Sequence, residues 1–296
     1  MKCEKCDNTA IMLDPCYCQT HYLDWFENHV RKTIEEYSLF TKSQKIAVAA
    51  SGGKDSTSIL YILKNEGYNV DAIAVDEGIP GYRDKTLIDL EQFCSEHDIN
   101  LRIVSFKEEL GSMLMDNIHK INGAPCRSCG IMRRHLLNKS SFGYDVIVTG
   151  HNVDDEFQSI MMSLFKGNLY LALRLGPKSG TRHHDGFTQR VKPLYFFTEK
   201  QVLVYAKLKG FDIGYTECPN APLGYRTRIR EKMLGLEKNI PNLRINTVKN
   251  FLSLKDRIIL DTDSSKPIYN CERCNGVSNS RICAACLTKE KVFSVN

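Results

Sequence analysis

Cysteine is the residue type whose number and spacing point most directly to chemistry in this chain. Twelve cysteines occur among 296 residues, eight of them in two groups near the chain ends. They are too sparse for the disulfide framework of a small secreted protein. No secretory segment follows Met1, and no apolar run approaches the ~18 residues that span a bilayer. We therefore predict a cytoplasmic protein without membrane contact, in which cysteines bind metals or do thiol chemistry.

The C-terminal group has the spacing C-x2-C-x8-C-x2-C. Each C-x2-C turn presents two thiolates to one ion, and two such turns complete a tetrahedron. Because protein fills all four positions, the pattern predicts a structural zinc site. Its ligands would be Cys271, Cys274, Cys283 and Cys286.

The N-terminal group has the spacing C-x2-C-x11-C-x2-H and predicts a second zinc site. Its ligands would be Cys3, Cys6, Cys18 and His21. Cys16 is an alternative to His21 as the fourth ligand, in which case His21 would be a surface residue of the helix that begins there.

Three further cysteines suggest a reactive centre. Cys126 and Cys129 form a Pro-Cys-x-x-Cys-Gly turn, and Cys218 follows much later in the chain. Three thiolates on one site leave one metal position open, and soft thiolates suit either zinc or an iron–sulfur cluster. A redox dithiol or persulfide carrier, and inert thiols, are the alternatives.

A loop suited to phosphate follows the apolar segment Lys45–Ala50. At the start of a helix, free N–H groups and the helix dipole favour an anion, and two glycines allow close approach. A lysine adds positive charge, and the pattern is neither a Walker loop nor a dinucleotide-binding turn. The predicted phosphate-binding residues are Ser51, Gly52, Gly53, Lys54, Asp55 and Ser56.

These motifs need a scaffold that places them together, and the pattern of elements predicts one. Apolar strands alternate with helical patterns, which indicates an α/β fold with a mainly parallel sheet covered on both faces. The strands are predicted at Lys45–Ala50, Val70–Val75, Leu101–Val104 and Asp145–Thr149, and the helices at Ser56–Asn65, Asp84–Glu96 and Arg133–Lys139. We divide the chain into a zinc module with its helix (1–40), a catalytic domain (41–262) and a zinc ribbon (263–296).

The phosphate loop resembles the signature of the PP-loop ATP pyrophosphatases, which have an adenine nucleotide α-hydrolase-like fold. A second segment, Gly150–Glu156, resembles the G-H-N-x-D-D element of the same family. The resemblance implies ATP and Mg²⁺ as ligands. Catalytic roles would fall to Asp55 and Asp155, with Gly150 and Val75 also at the nucleotide. The alternative for Asp154 and Asp155 is capping of a helix N-terminus.

Across the whole chain, the order of motifs resembles the tRNA 2-thiouridine synthetases, the group of the T-loop thiolase TtuA and the archaeal and eukaryotic wobble-uridine thiolases. The resemblance implies that Cys126, Cys129 and Cys218 hold one [4Fe-4S] cluster with an open iron that carries sulfur. Some members have a catalytic lysine at the position of Arg133. Arginine can stabilise an anion, but it does not exchange protons near neutral pH.

Positive charge is concentrated between Arg226 and Arg257, where nine basic and three acidic residues give +6, against +5 for the entire chain. Such concentration favours phosphate binding, although a solvated helix face is the simpler interpretation. With the resemblance, tRNA is the expected partner. The predicted tRNA-binding residues are Arg226, Arg228, Arg230 and Lys232.

The expected activity is ATP-dependent adenylation of uridine O2 and its replacement by sulfur. The sulfur donor would be sulfide or a ubiquitin-like thiocarboxylate carrier, and the resemblance implies a homodimer. A composition with 25% charged residues and eight methionines is unlike that of hyperthermophiles and favours the wobble uridine. The alternatives are a T-loop uridine thiolase, a 2-thiocytidine synthetase-like enzyme, and a non-catalytic zinc-ribbon RNA-binding protein.

Overall fold

A six-stranded sheet forms the centre of the protein. The computed structural model describes residues 1–179, 187–214, 217–255, 257–258 and 268–294. The strands of the central sheet are β1 (Lys45–Ala49), β2 (Asn69–Asp76), β3 (Leu101–Ser105), β4 (Val146–Thr149), β5 (Lys178–Ser179) and β6 (Gln189–Val191), and a separate hairpin pairs β7 (Tyr269–Asn270) with β8 (Val277–Ser278).

Helices connect and cover these strands. The α-helices in the described part of the chain are α1 (Gln19–Glu36), α2 (Lys54–Asn65), α3 (Arg83–Glu96), α4 (Phe106–Leu110), α5 (Cys126–Ser140), α6 (Val153–Phe165), α7 (Leu169–Leu173), α8 (Glu199–Leu208), α9 (Tyr225–Glu237), α10 (Leu243–Lys255) and α11 (Ala284–Thr288). Short 3-10 helices lie at Met115–Lys120 and Ala221–Leu223, and a π-helical turn at Lys289–Phe293.

The order of strands creates a crevice between β1 and β4. The sheet order is β3-β2-β1-β4-β6-β5, and every pairing is parallel except that of β5 with β6. The chain runs outward from β1 to β3 and then returns to the other side of β1. Ligands of such sheets bind at the carboxyl ends of the strands where the order reverses. The predicted α/β fold with a mainly parallel sheet is confirmed.

Alternating side chains bury both faces of the central strands, as a parallel sheet requires. Ala47, Ile73 and Ile147 lie on one face, where Leu137 of α5 packs against them. Val48 and its neighbours on the other face contact the helices α1, α2 and α8 in a larger core. Both layers hold the strand ends rigidly.

The sequence prediction was wrong about the start of α5. It placed the helix at Arg133–Lys139, but the helix begins at Cys126, directly after Pro125. Proline suits the start of a helix, and the following cysteines and glycine lack an apolar period that would signal the first two turns. The sequence also missed the short strands β5 and β6. The sequence also predicts a linker at residues 261–266, before the zinc ribbon, and this segment lies outside the described residues.

Helix α1 connects the N-terminal cysteines to the main core. The ring of Phe26 stacks on Tyr205 of α8 at 4.2 Å between centroids and lies 4.2 Å from the ring of Phe197. Tyr22 is buried, and its hydroxyl donates a hydrogen bond of 2.8 Å to the carbonyl of Gln201. The N-terminal segment is thus fixed against α8.

The C-terminal segment packs against α5 on the opposite face. Cys271 and Cys283 belong to the same apolar cluster as Met132 of α5. Phe293 meets Phe106 edge-on, with 5.7 Å between ring centroids. Among the described residues, no helix is long and apolar enough to cross a membrane.

We expect Phe26→Ala to lower the free energy of unfolding by about 3–5 kcal/mol, because it removes a fully buried ring and leaves a cavity against Tyr205. Ile88→Ala is the matched control, since Ile88 is 62% exposed and should change stability by less than about 0.5 kcal/mol. Urea denaturation followed by circular dichroism measures both. Equal losses in the two variants would contradict the packing described for α1.

Candidate functional site

The predicted phosphate loop follows β1 and winds onto the start of α2. Gly52 has φ +76°, and a Cβ there would lie 2.1 Å from the carbonyl oxygen of Thr86, so only glycine fits. The amide of Ser51 donates to Ser56 Oγ at 3.1 Å. Gly53 caps α2 without a side-chain hydrogen bond. The amides at the helix start therefore remain available to an anion.

Two carboxylates hold Lys54 in this loop. Its Nζ donates to Asp55 Oδ2 at 2.9 Å and to Glu199 Oε1 at 3.3 Å. Burial alone would lower the pKa of Lys54, but the two carboxylates outweigh it and the pKa is raised. Burial also raises the pKa of Asp55, which Lys54 opposes. Lys54 stays charged, as a phosphate-binding lysine must.

The segment Gly150–Glu156 contacts the phosphate loop at the crevice between β1 and β4. Asn152 Nδ2 donates to Asp55 Oδ1 at 3.0 Å. A Cβ on Gly150 would lie 2.9 Å from the backbone of Asp55, so the two loops touch at a glycine. The sheet thus brings Asp55 and the segment Gly150–Glu156 together, although they lie about 100 residues apart in the sequence.

Asp154 and Asp155 make different contacts. Asp154 is buried, accepts a hydrogen bond from the amide of Glu199 at 2.7 Å, and forms an ion pair with Arg244. Asp155 takes part in the capping box of α6 with Asn152. Its other oxygen, Oδ1, lies 3.1 Å from Arg226 Nη1. Asp154 therefore braces the scaffold, while Asp155 both caps α6 and faces the site.

The three middle cysteines lie beside this crevice. Cys126 and Cys129 are on the first turn of α5, and Cys218 precedes the 3-10 helix at Ala221–Leu223. Cys126 Sγ lies 3.5 Å from the carbonyl of Asn220, and Cys129 and Cys218 pack against one apolar cluster. Burial raises the pKa of Cys129 to about 12, and the nearby Glu77 carboxylate adds to the effect. The structure thus brings together the turn on α5 and the later cysteine.

Glu77, which sequence reasoning missed, connects the cysteines to the phosphate loop. Its carboxylate is buried and lies 3.2 Å from Arg83 Nε and 3.2 Å from Arg133 Nε. Arg83 Nη1 donates to the carbonyl of Ser51 at 2.6 Å, and Arg83 Nε donates to the carbonyl of Val75 at 2.8 Å. The sequence signal that could have revealed Glu77 is its position, since it is an acidic residue directly after the central strand β2.

The N-terminal ligands converge on one point. Cys3, Cys6, Cys18 and His21 offer ligand atoms that all lie within 4.8 Å of one another. The Sγ atoms of Cys6 and Cys18 are 3.7 Å apart, close to the about 3.8 Å expected for two sulfurs on one tetrahedral zinc. Cys16 lies outside this group and donates to the carbonyl of Lys2 at 3.3 Å.

The C-terminal ligands converge in the same way. Cys271, Cys274, Cys283 and Cys286 also lie within 4.8 Å of one another. The Sγ atoms are 3.8 Å apart for Cys271 and Cys286 and 3.7 Å apart for Cys274 and Cys283. Four thiols at these distances match the donor set of a closed, structural zinc site.

Half of the predicted tRNA-binding residues are ion-paired within the protein. Arg226 faces Asp155, and Arg230 lies 3.4 Å from Glu199 and 2.8 Å from Glu217. The other two, Arg228 and Lys232, are exposed on α9 and make no ion pair with a described residue. One side of α9 therefore faces the nucleotide site, and these two side chains face solvent.

The fold and the phosphate loop define an α/β nucleotide-binding protein of the PP-loop class. A family model described as a PP-loop domain matches residues 21–237. The tRNA-5-methyluridine(54) 2-sulfurtransferase of Pyrococcus horikoshii is 34% identical, and the match covers 100% of this chain and 97% of that protein. Cytoplasmic tRNA 2-thiolation protein 1 of Aspergillus niger is 35% identical, with 97% and 87% covered.

A solved structure agrees over the full length. The U34-tRNA thiolase NcsA from Methanococcus maripaludis, solved with its [4Fe-4S] cluster, matches with a TM-score of 0.84 and 31% identity, covering 100% of this chain and 98% of that one. The present chain belongs to the PP-loop domain family and, within it, to the tRNA 2-thiolation proteins. The resemblance expected from the motifs is confirmed.

We expect Glu77→Gln to destabilise the protein by about 3 kcal/mol, because it leaves the buried guanidinium of Arg83 without its counter-charge. Glu91→Gln on the exposed face of α3 is the control and should stay within about 0.5 kcal/mol. Urea denaturation measures both. An unfolding midpoint of Glu77→Gln equal to that of Glu91→Gln would show that the carboxylate does not hold Arg83.

Two variants distinguish His21 from Cys16 as the fourth ligand of the N-terminal group. We expect His21→Ala to lose one zinc per chain during dialysis against a chelator, since it removes one of four converging ligands. Cys16→Ala should keep the full zinc content, because Cys16 lies outside the group. Elemental analysis after dialysis is the measurement. Loss of zinc from Cys16→Ala alone would reverse the assignment.

Proposed function

We propose that this chain is an ATP-dependent tRNA 2-thiouridine synthetase. The observation that carries the proposal is the Arg83–Glu77–Arg133 bridge, which holds a nucleotide-binding loop and a three-cysteine site against each other. A reaction that activates a substrate with ATP and then delivers sulfur requires this proximity. The relatives named as tRNA 2-thiolation proteins and U34-tRNA thiolase support the same activity.

Phosphate binding falls to the loop after β1. The free amides at the start of α2 and the charged Lys54 would hold the phosphates of ATP. Asp55 and Asp155 supply carboxylate oxygens, the ligands that Mg²⁺ prefers. Uridine O2 attacks the α-phosphate, pyrophosphate leaves, and the sulfur nucleophile then attacks C2 so that AMP departs with the original oxygen.

The sulfur site falls to the three cysteines. Cys126, Cys129 and Cys218 would hold a [4Fe-4S] cluster, which their soft thiols suit and which the NcsA structure contains. When bound, this group supplies a Lewis-acidic iron with an open position for sulfur. The three thiols are less tightly grouped than the two four-ligand sets, as a cluster larger than a single ion requires.

Arg133 has an electrostatic role in this proposal. Glu77 fixes its guanidinium on the turn of α5 that follows Cys129. Arginine remains charged throughout, so it would stabilise the negative charge of the sulfur nucleophile or of the adenylated intermediate. Proton transfer must then fall to another group or to water.

The remaining ligands and partners are also proposals. The terminal cysteine groups would each hold one Zn²⁺, tRNA would be the substrate, and sulfide or a ubiquitin-like thiocarboxylate carrier would donate sulfur. We further propose a homodimer and a cytoplasmic location, the latter supported by relatives named as cytoplasmic proteins. For the target we favour the wobble uridine, supported by composition and by the U34 thiolase, although the Pyrococcus horikoshii relative is named for position 54.

The test uses anaerobically reconstituted protein, tRNA, ATP and sulfide. We expect Cys218→Ala to lose thiolation and cluster iron while keeping tRNA binding and zinc. Cys94→Ala is the matched control, because Cys94 is a buried core residue of α3. Mass spectrometry of nuclease fragments reports the modified position, expected at the wobble uridine. Full activity of Cys218→Ala would refute the cluster assignment, and thiolation at position 54 alone would refute the assigned target.

A further inference from the structure

A broad groove of about 1200 Å³ lies between α5 and the C-terminal cysteine segment. We call it the α5 groove. On the α5 side it is lined by Arg134, Asn138 and Lys139, followed by Phe142. The segment from Asn275 to Val277 lines the opposite side. Its lining includes Cys274, Cys283 and Cys286 of the C-terminal cysteine group, and no residue of the phosphate loop.

The basic residues that line the groove outnumber its carboxylates. Four basic and two acidic residues line it, beside the cysteine thiols. Both acids are already engaged, because Glu109 lies 2.5 Å from Lys139 and Glu290 lies 2.7 Å from Arg273. Arg134 therefore has no carboxylate partner in the described part of the chain.

A second guanidinium lies next to Arg134. Arg190 of β6 extends its Nη2 to the carbonyl of Arg134 at 3.4 Å and to Asn138 Oδ1 at 2.5 Å. Arg190 likewise forms no ion pair with a described residue. Burial, with a contribution from Arg134, lowers the pKa of Arg190 to about 10. Arg190 does not itself line the groove, but it adds positive charge behind Asn138, which does. Arg134, exposed in the groove, is the cation that an external anion can reach.

Aromatic rings border the same groove. Phe142, just beyond the end of α5, is 77% exposed, and Phe187 also lines the groove. An exposed aromatic ring in a groove that also holds an arginine without a carboxylate partner matches the surfaces that bind single-stranded nucleic acid, where bases stack and cations follow the backbone. Burying such a ring against another protein would not explain the uncompensated arginines.

The groove begins on α5 close to the cysteine turn. Arg134 lies little more than one helical turn after Cys129, and its Nη1 is 3.3 Å from the point that a Cβ on Gly130 would occupy. From Cys129 to the end of α5 at Ser140, the rise of about 1.5 Å per residue gives about 16 Å. This length accommodates a few nucleotides next to the one being modified.

We propose that the α5 groove binds the strand of the substrate RNA that flanks the target uridine, with Arg134 on a backbone phosphate, Arg190 adding positive charge behind it, and Phe142 stacked on a base. This inference rests on the proposed function. It adds the groove beside α5 to the surface that RNA can contact, whereas Arg226 and Arg230 of α9 are engaged by carboxylates.

The experiment measures tRNA affinity of the full-length protein over a range of salt concentrations. We expect the double variant Arg134→Gln/Arg190→Gln to bind more weakly, with a slope of log K against log salt smaller by about 1, since one phosphate contact is lost. Phe142→Ala should weaken binding roughly 5-fold to 100-fold without changing the slope, because stacking is not electrostatic. Binding of ATP should be unchanged in both.

Arg102→Gln is the matched control, because Arg102 is an exposed residue of β3 at the opposite edge of the sheet. It should keep the wild-type affinity and slope. Thermal unfolding checks each variant, and the exposed Phe142 provides a test that does not depend on the fold of the double variant.

Two failures are distinguishable. If the wild-type protein neither binds nor thiolates tRNA, the proposed function fails and the groove proposal fails with it. If the wild type does both, while Phe142→Ala and the double variant bind tRNA as the wild type does, only the groove proposal is overturned. Loss of thiolation with unchanged tRNA affinity would also overturn it.

Discussion

The carboxylate of Glu77 is shared between two guanidinium groups that belong to different parts of the site. Arg83 of α3 pairs with this carboxylate and also donates to the carbonyl of Ser51 in the phosphate loop. Arg133, on the turn of α5 that follows the cysteine turn, pairs with the same carboxylate. Glu77 and Arg83 are both buried, so leaving either of them without its partner is costly. The phosphate loop and the cysteine turn are therefore connected by an ion-pair bridge as well as by the sheet.

Basic side chains at the crevice are also paired with carboxylates. Lys54, Arg226 and Arg230 are each engaged by the carboxylates of Asp55, Asp155 or Glu199. In the proposed function, an incoming triphosphate with its magnesium ions would exchange partners with these pairs, because phosphate would take the cations and the metal the carboxylates. The side chains are thereby held near their working positions before ligand arrives, which reduces the ordering cost of binding.

The sequence predicted those parts of the site that depend on short-range patterns. The phosphate loop, the Gly150–Glu156 segment and both four-ligand groups could be recognised because their functional residues lie close together in the sequence at characteristic spacings. Glu77 could not, since its role depends on two partners that only the sheet brings near. Charge counting along Arg226–Arg257 found a basic segment but not that Arg226 and Arg230 face carboxylates. Burial and pairing are properties of neighbours in space, which composition does not report.

The separation of the ligand atoms distinguishes the three cysteine-rich sites from one another. Both terminal sets hold four ligand atoms within 4.8 Å, which is the arrangement of a closed shell around a single tetrahedral ion. Cys126, Cys129 and Cys218 do not form such a set among the described residues, although Cys129 and Cys218 share one apolar cluster. A closed shell stabilises the fold but leaves no position for a reactant. In the proposed function, the more open trio, beside Arg133 and the phosphate loop, is the site at which a sulfur atom meets an activated uridine.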